Sequence, residues 1–351
     1  MNKTTIEWTD FSANPLKFRD ASGRVVWHCE KLSPGCKNCY AEAIANRWRR
    51  GGPFNAGVTR ALTPFLDEDE LHKLLTAKAI AGKRVFIGDM TDVFGEWIQD
   101  EDLDGLFALF ALRTDVTWQV LTKRPERARE YIQNTGRADL ILACEQMSEA
   151  GATGELLYKR GWPELGEDFE WPLPNVWLGV SCEDQERADE RIPHLLQTPA
   201  AVRFISAEPL LGPLDLSHYL GLDGKNHGAE FLEKNGWGYD DWSGGFTGPN
   251  THRDSTYAPE PGIHWVIPGG ESGHGARQCE VEWMRALVQQ CQAAEVSCFV
   301  KQLGADPIRL GTSQEGRLFV RLNLRDRQGR DPSEWPEALR VREFPSAEAR
   351  R

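Results

Sequence analysis

At 351 residues the chain is long enough for one large α/β domain with insertions, or for two modest domains, and can bury a core without disulfides or structural metals. Apolar residues at 40% and charged residues at 27% are ordinary for a globular chain, and no run of about eighteen apolar residues offers a membrane span. The net charge of −12 argues against tight, non-specific wrapping of nucleic acid, although it leaves room for a local basic groove.

The first ten residues are polar and lack the apolar stretch of a secretory leader, so a cytoplasmic protein is expected. From there, short apolar runs alternate with amphipathic stretches. A strand is predicted at 25–28, then a cysteine-rich segment, then a helix over 41–50 that stops at Gly51-Gly52. A helix over 67–79 opens on acidic residues, which suit the positive end of a helix. Strand 84–88, helix 103–112, strand 117–122 and helix 125–133 follow, the last with Pro125 in its first turn and Gly136 beyond its end. Next come strand 176–181, helix 184–196 and strands 202–207 and 264–268. A helix over 280–294 carries Val281, Met284, Leu287, Val288 and Cys291 on one face, and a last strand spans 297–301.

The strands are mostly apolar throughout, as parallel strands covered on both faces must be, and strand alternating with helix indicates βαβ units. The fold expected is α/β, a partial (β/α)6 TIM-like barrel over residues 1–304. Two segments break the alternation. Residues 145–174 and 218–262 are rich in Gly, acids and aromatics without a period, and read as loop insertions that cover the barrel as lids. Residues 305–351 form a C-terminal extension packed on the barrel, with a hairpin-like stretch at 318–324 before Asp326 and Gly329.

Of eight cysteines, Cys29, Cys36 and Cys39 crowd into one segment beside Pro34 and Gly35; Cys144, Cys182, Cys279, Cys291 and Cys298 are scattered. Three thiolates on one loop can hold three irons of a [4Fe–4S] cube and leave the fourth iron open. The alternative is a zinc site completed by His28 or a distant cysteine, although zinc knuckles normally come in pairs and no second Cys-x-x-Cys exists here.

The remaining strand ends are polar. They read Gly88-Asp89-Met90-Thr91-Asp92, Thr122-Lys123-Arg124, Ser181-Cys182-Glu183, Glu208-Pro209 and Gly269-Gly270-Glu271. In a barrel these ends meet on one rim, the face where the chemistry sits. Cys182, Glu208 and Glu271 are candidate catalytic groups there, with Cys182 either a hydrogen-atom donor or a small buried hydrophobe. Arg47-Trp48-Arg49-Arg50 and Lys123-Arg124 are candidate nucleic-acid contacts, since an aromatic beside Arg can stack a base.

The segment from Ser33 to Glu42, the strand ends at 88–92, 121–125, 207–210 and 269–273, and the tail from Asp331 to Pro345 resemble the phage Gp37/Gp68 family. More distantly, the pattern is similar to radical S-adenosylmethionine enzymes of the spore photoproduct lyase branch. In that branch, too, Tyr-Ala follows the cysteines and Thr-Lys follows the third strand. That resemblance implies a barrel of radical type in which Cys29, Cys36 and Cys39 ligate a [4Fe–4S] cluster and S-adenosyl-L-methionine chelates the open iron. It further implies that Tyr40 lies against adenine, that Lys123 and Ser181, with Thr122 and Glu183 beside them, hold carboxylate and ribose, and that Asp89 or Asp92 receives the amine. One departure is the first cysteine gap, which is wider than the usual Cys-x-x-x-Cys-x-x-Cys.

The function expected is reductive cleavage of S-adenosylmethionine, followed by hydrogen abstraction from a nucleobase or nucleic acid in modification or repair. A flavodoxin- or ferredoxin-like electron donor is implied as a partner, and a partner protein encoded nearby is a further expectation. The alternatives are a zinc-stabilised module that binds nucleic acid or protein, and a metal-dependent nuclease using Asp89, Asp92, Glu208 and Glu271.

Overall fold

The computed structural model describes residues 1–48, 51–149, 165–166, 169–222, 238–240, 245–247, 262–313 and 316–345. One eight-stranded sheet dominates: β1 (Asn2–Lys3), β2 (Phe11–Ala13), β3 (Arg84–Ile87), β4 (Thr117–Thr122), β5 (Val176–Ser181), β6 (Val202–Ala207), β7 (Trp265–Pro268) and β8 (Ser297–Cys298). Around it lie α1 (Tyr40–Arg47), α2 (Glu68–Thr76), α3 (Asp100–Leu112), α4 (Pro125–Asn134), α5 (Arg137–Glu149), α6 (Gln185–Leu196) and α7 (Val281–Ala293). Their boundaries follow local chemistry. Asp67 accepts the Glu70 amide and Asp184 the Arg187 amide, each 3.0 Å away, as N-caps of α2 and α6.

Spatial order in the sheet equals chain order, and every pair is parallel except the antiparallel β1–β2 edge. The chain therefore winds one way without the reversal of a doubly wound sheet, and the carboxyl ends of β2 to β8 fall along a single edge. Among the described residues the outer strands do not pair with each other, so no closed barrel forms.

Alternation along each strand separates two apolar layers. On β5, Val176, Leu178 and Val180 join the large core cluster shared with the helices, and Trp177 turns the other way. That second face is aromatic: Trp8, Phe86, Trp177, Phe204, Trp265 and Phe299 pack together. Phe86 on β3 and Trp265 on β7 are four strands apart, which a flat sheet would separate by about 19 Å. Yet the Trp8 ring lies 4.9 Å from one and 6.2 Å from the other. The sheet is therefore strongly curved, with this cluster on its concave side. Gly179 is required there, because a Cβ would come within 2.3 Å of the Phe204 ring.

Several sequence expectations need correcting. The run at 25–28 yields only Val25–Val26, paired antiparallel to Leu16–Arg19 in a small separate sheet with Thr63–Leu66. The first parallel strand is Phe11–Ala13, too short to show a period. The insertion placed at 145–174 begins inside α5, whose Leu140, Ala143 and Cys144 are buried as it packs on α3. Most of that insertion, and 223–237, 241–244 and 248–261 of the second, lie outside the described residues; Gly238–Asp240 pairs with Gly245–Thr247. The hairpin of the extension is Pro307–Ser313 with Gly316–Arg321 rather than 318–324. It was hard to read because Leu310, Leu318 and Phe319 remain exposed and leave no buried apolar stripe.

The tail closes the sheet's edge. Val300 N–H donates to Val341 O (2.9 Å) and Glu343 N–H to Cys298 O (2.8 Å), extending the sheet antiparallel beyond β8. No helix among the described residues is long and apolar enough to cross a membrane.

Candidate functional site

The cysteine segment lies in the long connection from β2 to β3 and crosses the carboxyl edge of the sheet, where two buried carboxylates grip it. Glu183, from the end of β5, is fully buried and accepts the Gly35 amide at Oε1 (2.9 Å) and the Ser33 hydroxyl. Its Oε2 meets Arg191 Nη1 (3.1 Å), which also donates to Ser181 O (2.8 Å). Glu271, after β7, accepts Asn38 Nδ2 (2.9 Å) and the Arg277 amide (2.9 Å) at Oε2, and Arg277 Nη2 (2.6 Å) at Oε1. Arg277 Nη1 reaches on to Pro34 O (2.9 Å). Both carboxyls are acidified despite burial. For Glu183 the opposing causes are Lys123, Ser33 and Arg191; for Glu271 they are hydrogen bonds from Arg277 and Asn38.

All three loop cysteines are free and half-buried. Burial pushes the Cys29 thiol up to about 12, reinforced by the Asp92 charge and opposed by the Asp92 backbone amide. Burial also raises Cys39, which is the N-cap of α1, against the Ala41 and Glu42 amides at the helix start. At both sulfurs burial outweighs these backbone contacts, so the thiol is favoured over the thiolate in the chain as it stands. Cys39 lies within electrostatic reach of both Cys36 and Cys29. Among the described residues, no three His, Cys, Asp or Glu side chains converge closely enough for one metal ion. A cube sets its thiolates on separate irons and so requires no such convergence; three free thiols on one loop are the donor type such a cluster takes.

The rim residues divide into two groups. Asp92, with its side chain only 8% exposed, is spent on the protein. It accepts Thr122 Oγ1 (2.6 Å) and the Phe94 amide (3.1 Å) at Oδ1, and the Lys123 amide (2.9 Å) at Oδ2, with Arg124 3.5 Å away. Asp89 is paired with Asn14, and burial raises its carboxyl. The Tyr40 hydroxyl donates to Asp89 O (2.6 Å) and is enclosed, yet 48% of the residue remains exposed, so the ring is open while its tip is fixed. Lys123 is half-buried, lies close to Glu183 and Cys39, and forms no ion pair among the described residues. Glu208 bridges Lys301 (2.8 Å) and Ser206 (3.0 Å).

Ser181 is buried at 2% exposure, and the Cys182 thiol packs into the core cluster shared with the helices, near Arg187 O. His28 is buried between Phe18 and Phe54 with Nε2 on Thr59 Oγ1 (2.8 Å), so its ring serves the small sheet beside the loop. Asp89, Asp92, Glu208 and Glu271 do not gather; each has its own partner within the protein. Sequence reasoning missed Asn14, Asn38, Arg191, Arg277 and Lys301. Asn38 stood between two cysteines and Arg277 just after Gly273, but nothing local showed that they would meet across 233 to 243 residues of chain.

A family model described as "Protein of unknown function (DUF5131)" matches residues 3–325. The chain belongs to the DUF5131 family. No curated protein and no solved structure matches it. The match takes in the cysteine loop and every strand of the sheet, and stops before the strap at 326–345 that completes the sheet's edge in this DUF5131 chain.

Proposed function

We propose that the chain is a radical S-adenosylmethionine enzyme whose cysteine loop holds a [4Fe–4S] cluster. The observation that carries the reading is the placement of Cys29, Cys36 and Cys39 on one braced loop at the carboxyl edge of a curved, singly wound parallel sheet. We read that sheet as a partial (β/α)6 TIM-like barrel of radical type. Held by Cys29, Cys36 and Cys39, a reduced cluster would supply the electron for reductive cleavage of bound S-adenosylmethionine, the chemistry that opens a substrate to hydrogen abstraction.

The chain's own residues then bind and orient. The open ring of Tyr40 offers a stacking face for adenine, and Lys123 a cation for the methionyl carboxylate. Asp89 or Asp92 would receive the amine. The motifs' likeness to the phage Gp37/Gp68 family and to spore photoproduct lyases points to a nucleobase or nucleic-acid substrate. It also points to a flavodoxin- or ferredoxin-like donor.

The test is anaerobic reconstitution with iron and sulfide, read by iron content and electron paramagnetic resonance after reduction. A cubane signal that changes shape when S-adenosylmethionine is added, and is lost in a Cys36→Ala/Cys39→Ala variant, is the expected result. Stoichiometric zinc without a cluster would sink the reading.

A further inference from the structure

Each of the three loop cysteines is fixed by a different device. Cys29 rests against the backbone at Asp92, after β3, and Cys39 begins α1. Cys36 belongs to a short 3-10 turn, Pro34–Cys36, which has no side-chain cap of its own; within the loop it is held by the Cys36 amide on Ser33 O, the Lys37 amide on Pro34 O and a weak contact of its sulfur with Ser33 Oγ (4.0 Å). What surrounds it from outside the loop is the pair of buried carboxylates. On the side before Cys36, Glu183 takes the Gly35 amide and Ser33 hydroxyl, and Arg277, itself held by Glu271, takes Pro34 O. On the side after it, Glu271 takes Asn38. The contact at Gly35 is tight, since a Cβ there would stand 2.9 Å from Glu183 Oε1.

We infer that Glu183 and Glu271 are positioning residues that hold Cys36 ready to ligate, an inference that rests on the proposed ligand role of the loop. The chemistry explains the choice of acids. A carboxylate only accepts, so it can collect amide, hydroxyl and guanidinium donors at once, whereas Gln would turn a donor toward a donor. Two negative charges beside three thiolates would oppose ligation if left bare. Arg191 on Glu183 and Arg277 on Glu271 neutralise them where they stand. The wide gap between Cys29 and Cys36 is bridged in the same way: the second cysteine takes its position from β5 and β7 as well as from its neighbours in sequence.

The experiment measures the alkylation rate of each cysteine by iodoacetamide in the metal-free full chain, resolved by peptide mass, for wild type, Glu271→Gln and Asn38→Ala. Asn38 is exposed, and its truncation cuts the link from the loop side without disturbing a buried acid. Cys36 should react about tenfold faster in both variants, the change expected from losing one charge-assisted hydrogen bond, while Cys182, Cys279 and Cys291 keep their wild-type rates. An unchanged Cys36 rate, or an equal rise at all eight cysteines, overturns the inference. Wild type and variants are then reconstituted in parallel. A wild type that takes up no cluster defeats the proposed function, and the alkylation rates judge the clamp independently. If wild type does load, Glu271→Gln should load less iron, and Glu271→Asp, which keeps the acceptor, should recover part of it.

Discussion

Asp92 illustrates how one side chain can organise a strand end without facing a ligand. Its two oxygens collect a hydroxyl, two backbone amides and a guanidinium from the last residue of β4, the two residues after it and one residue after β3. Replacement by Asn presents an NH2 group to N–H donors and leaves Arg124, 9% exposed, without its charge partner. Asp92→Asn should therefore cost about 2–4 kcal/mol of unfolding free energy, read from urea melts. A loss below about 0.5 kcal/mol, the range of ordinary surface changes, would show that the network is not cooperative. The sequence marked Asp92 as a rim residue because acids at strand ends are legible. That it is a brace depends on Thr122 and Lys123 arriving 30 residues later, which no local pattern encodes. Glu183 and Glu271 are similar cases: their position at strand ends was readable, and their grip on the cysteine loop was not.

The strands and helices were legible wherever burial imposed a period. β4, β5 and β6 are buried along almost their whole length and were read to the residue, whereas β2 has three residues and β8 two, too few for any pattern to emerge. α5 was missed, because it borders a polar, glycine-rich stretch. Between elements, the pairing of β6 with β7 contains a titratable contact. The Arg203 amide donates to His264 Nδ1 (2.9 Å) at the start of β7, which requires a neutral ring edge there. Burial and the Arg203 charge lower the imidazole from 6.5 to about 4. Because the folded value is depressed, the contact contributes its full stability above pH 6.5 and loses it as pH falls toward 4. Between pH 7 and pH 5, wild type should lose about 2 kcal/mol that a His264→Asn variant does not. Parallel denaturant titrations at the two pH values measure this difference, and identical pH slopes in the two proteins would refute it.

For the molecule as a whole, Trp8 and Phe344 pack on the same face of the sheet. Trp8 fills the hollow of the curve, and Phe344 packs on Trp265 and Phe299, with the Arg84 guanidinium 3.8 Å from its ring centre. The strap between Gly329 and Phe344 is pinned by Trp335, which is 2% exposed, donates its Nε1 to Gly329 O (3.0 Å) and lies under Arg342. Gly329 in turn accepts from the Leu303 amide (2.9 Å), and the Ala305 amide bonds Glu271 O (2.8 Å). Backbone hydrogen bonds at Leu303 and Ala305 therefore link the strap to the main chain of Glu271, whose carboxylate holds the cysteine loop. Trp335→Ala removes the pin and should cost about 3–5 kcal/mol, as for large-to-small changes in a packed core. Hydrogen exchange locates the loss. The Val300 amide, bonded to Val341 O in the strap, should exchange faster, while the Phe299 amide, bonded to Val266 O within the sheet, should keep its protection. Faster exchange at both would mean that the strap holds the sheet itself together, and unchanged exchange at Val300 would mean that the strap stays docked without Trp335.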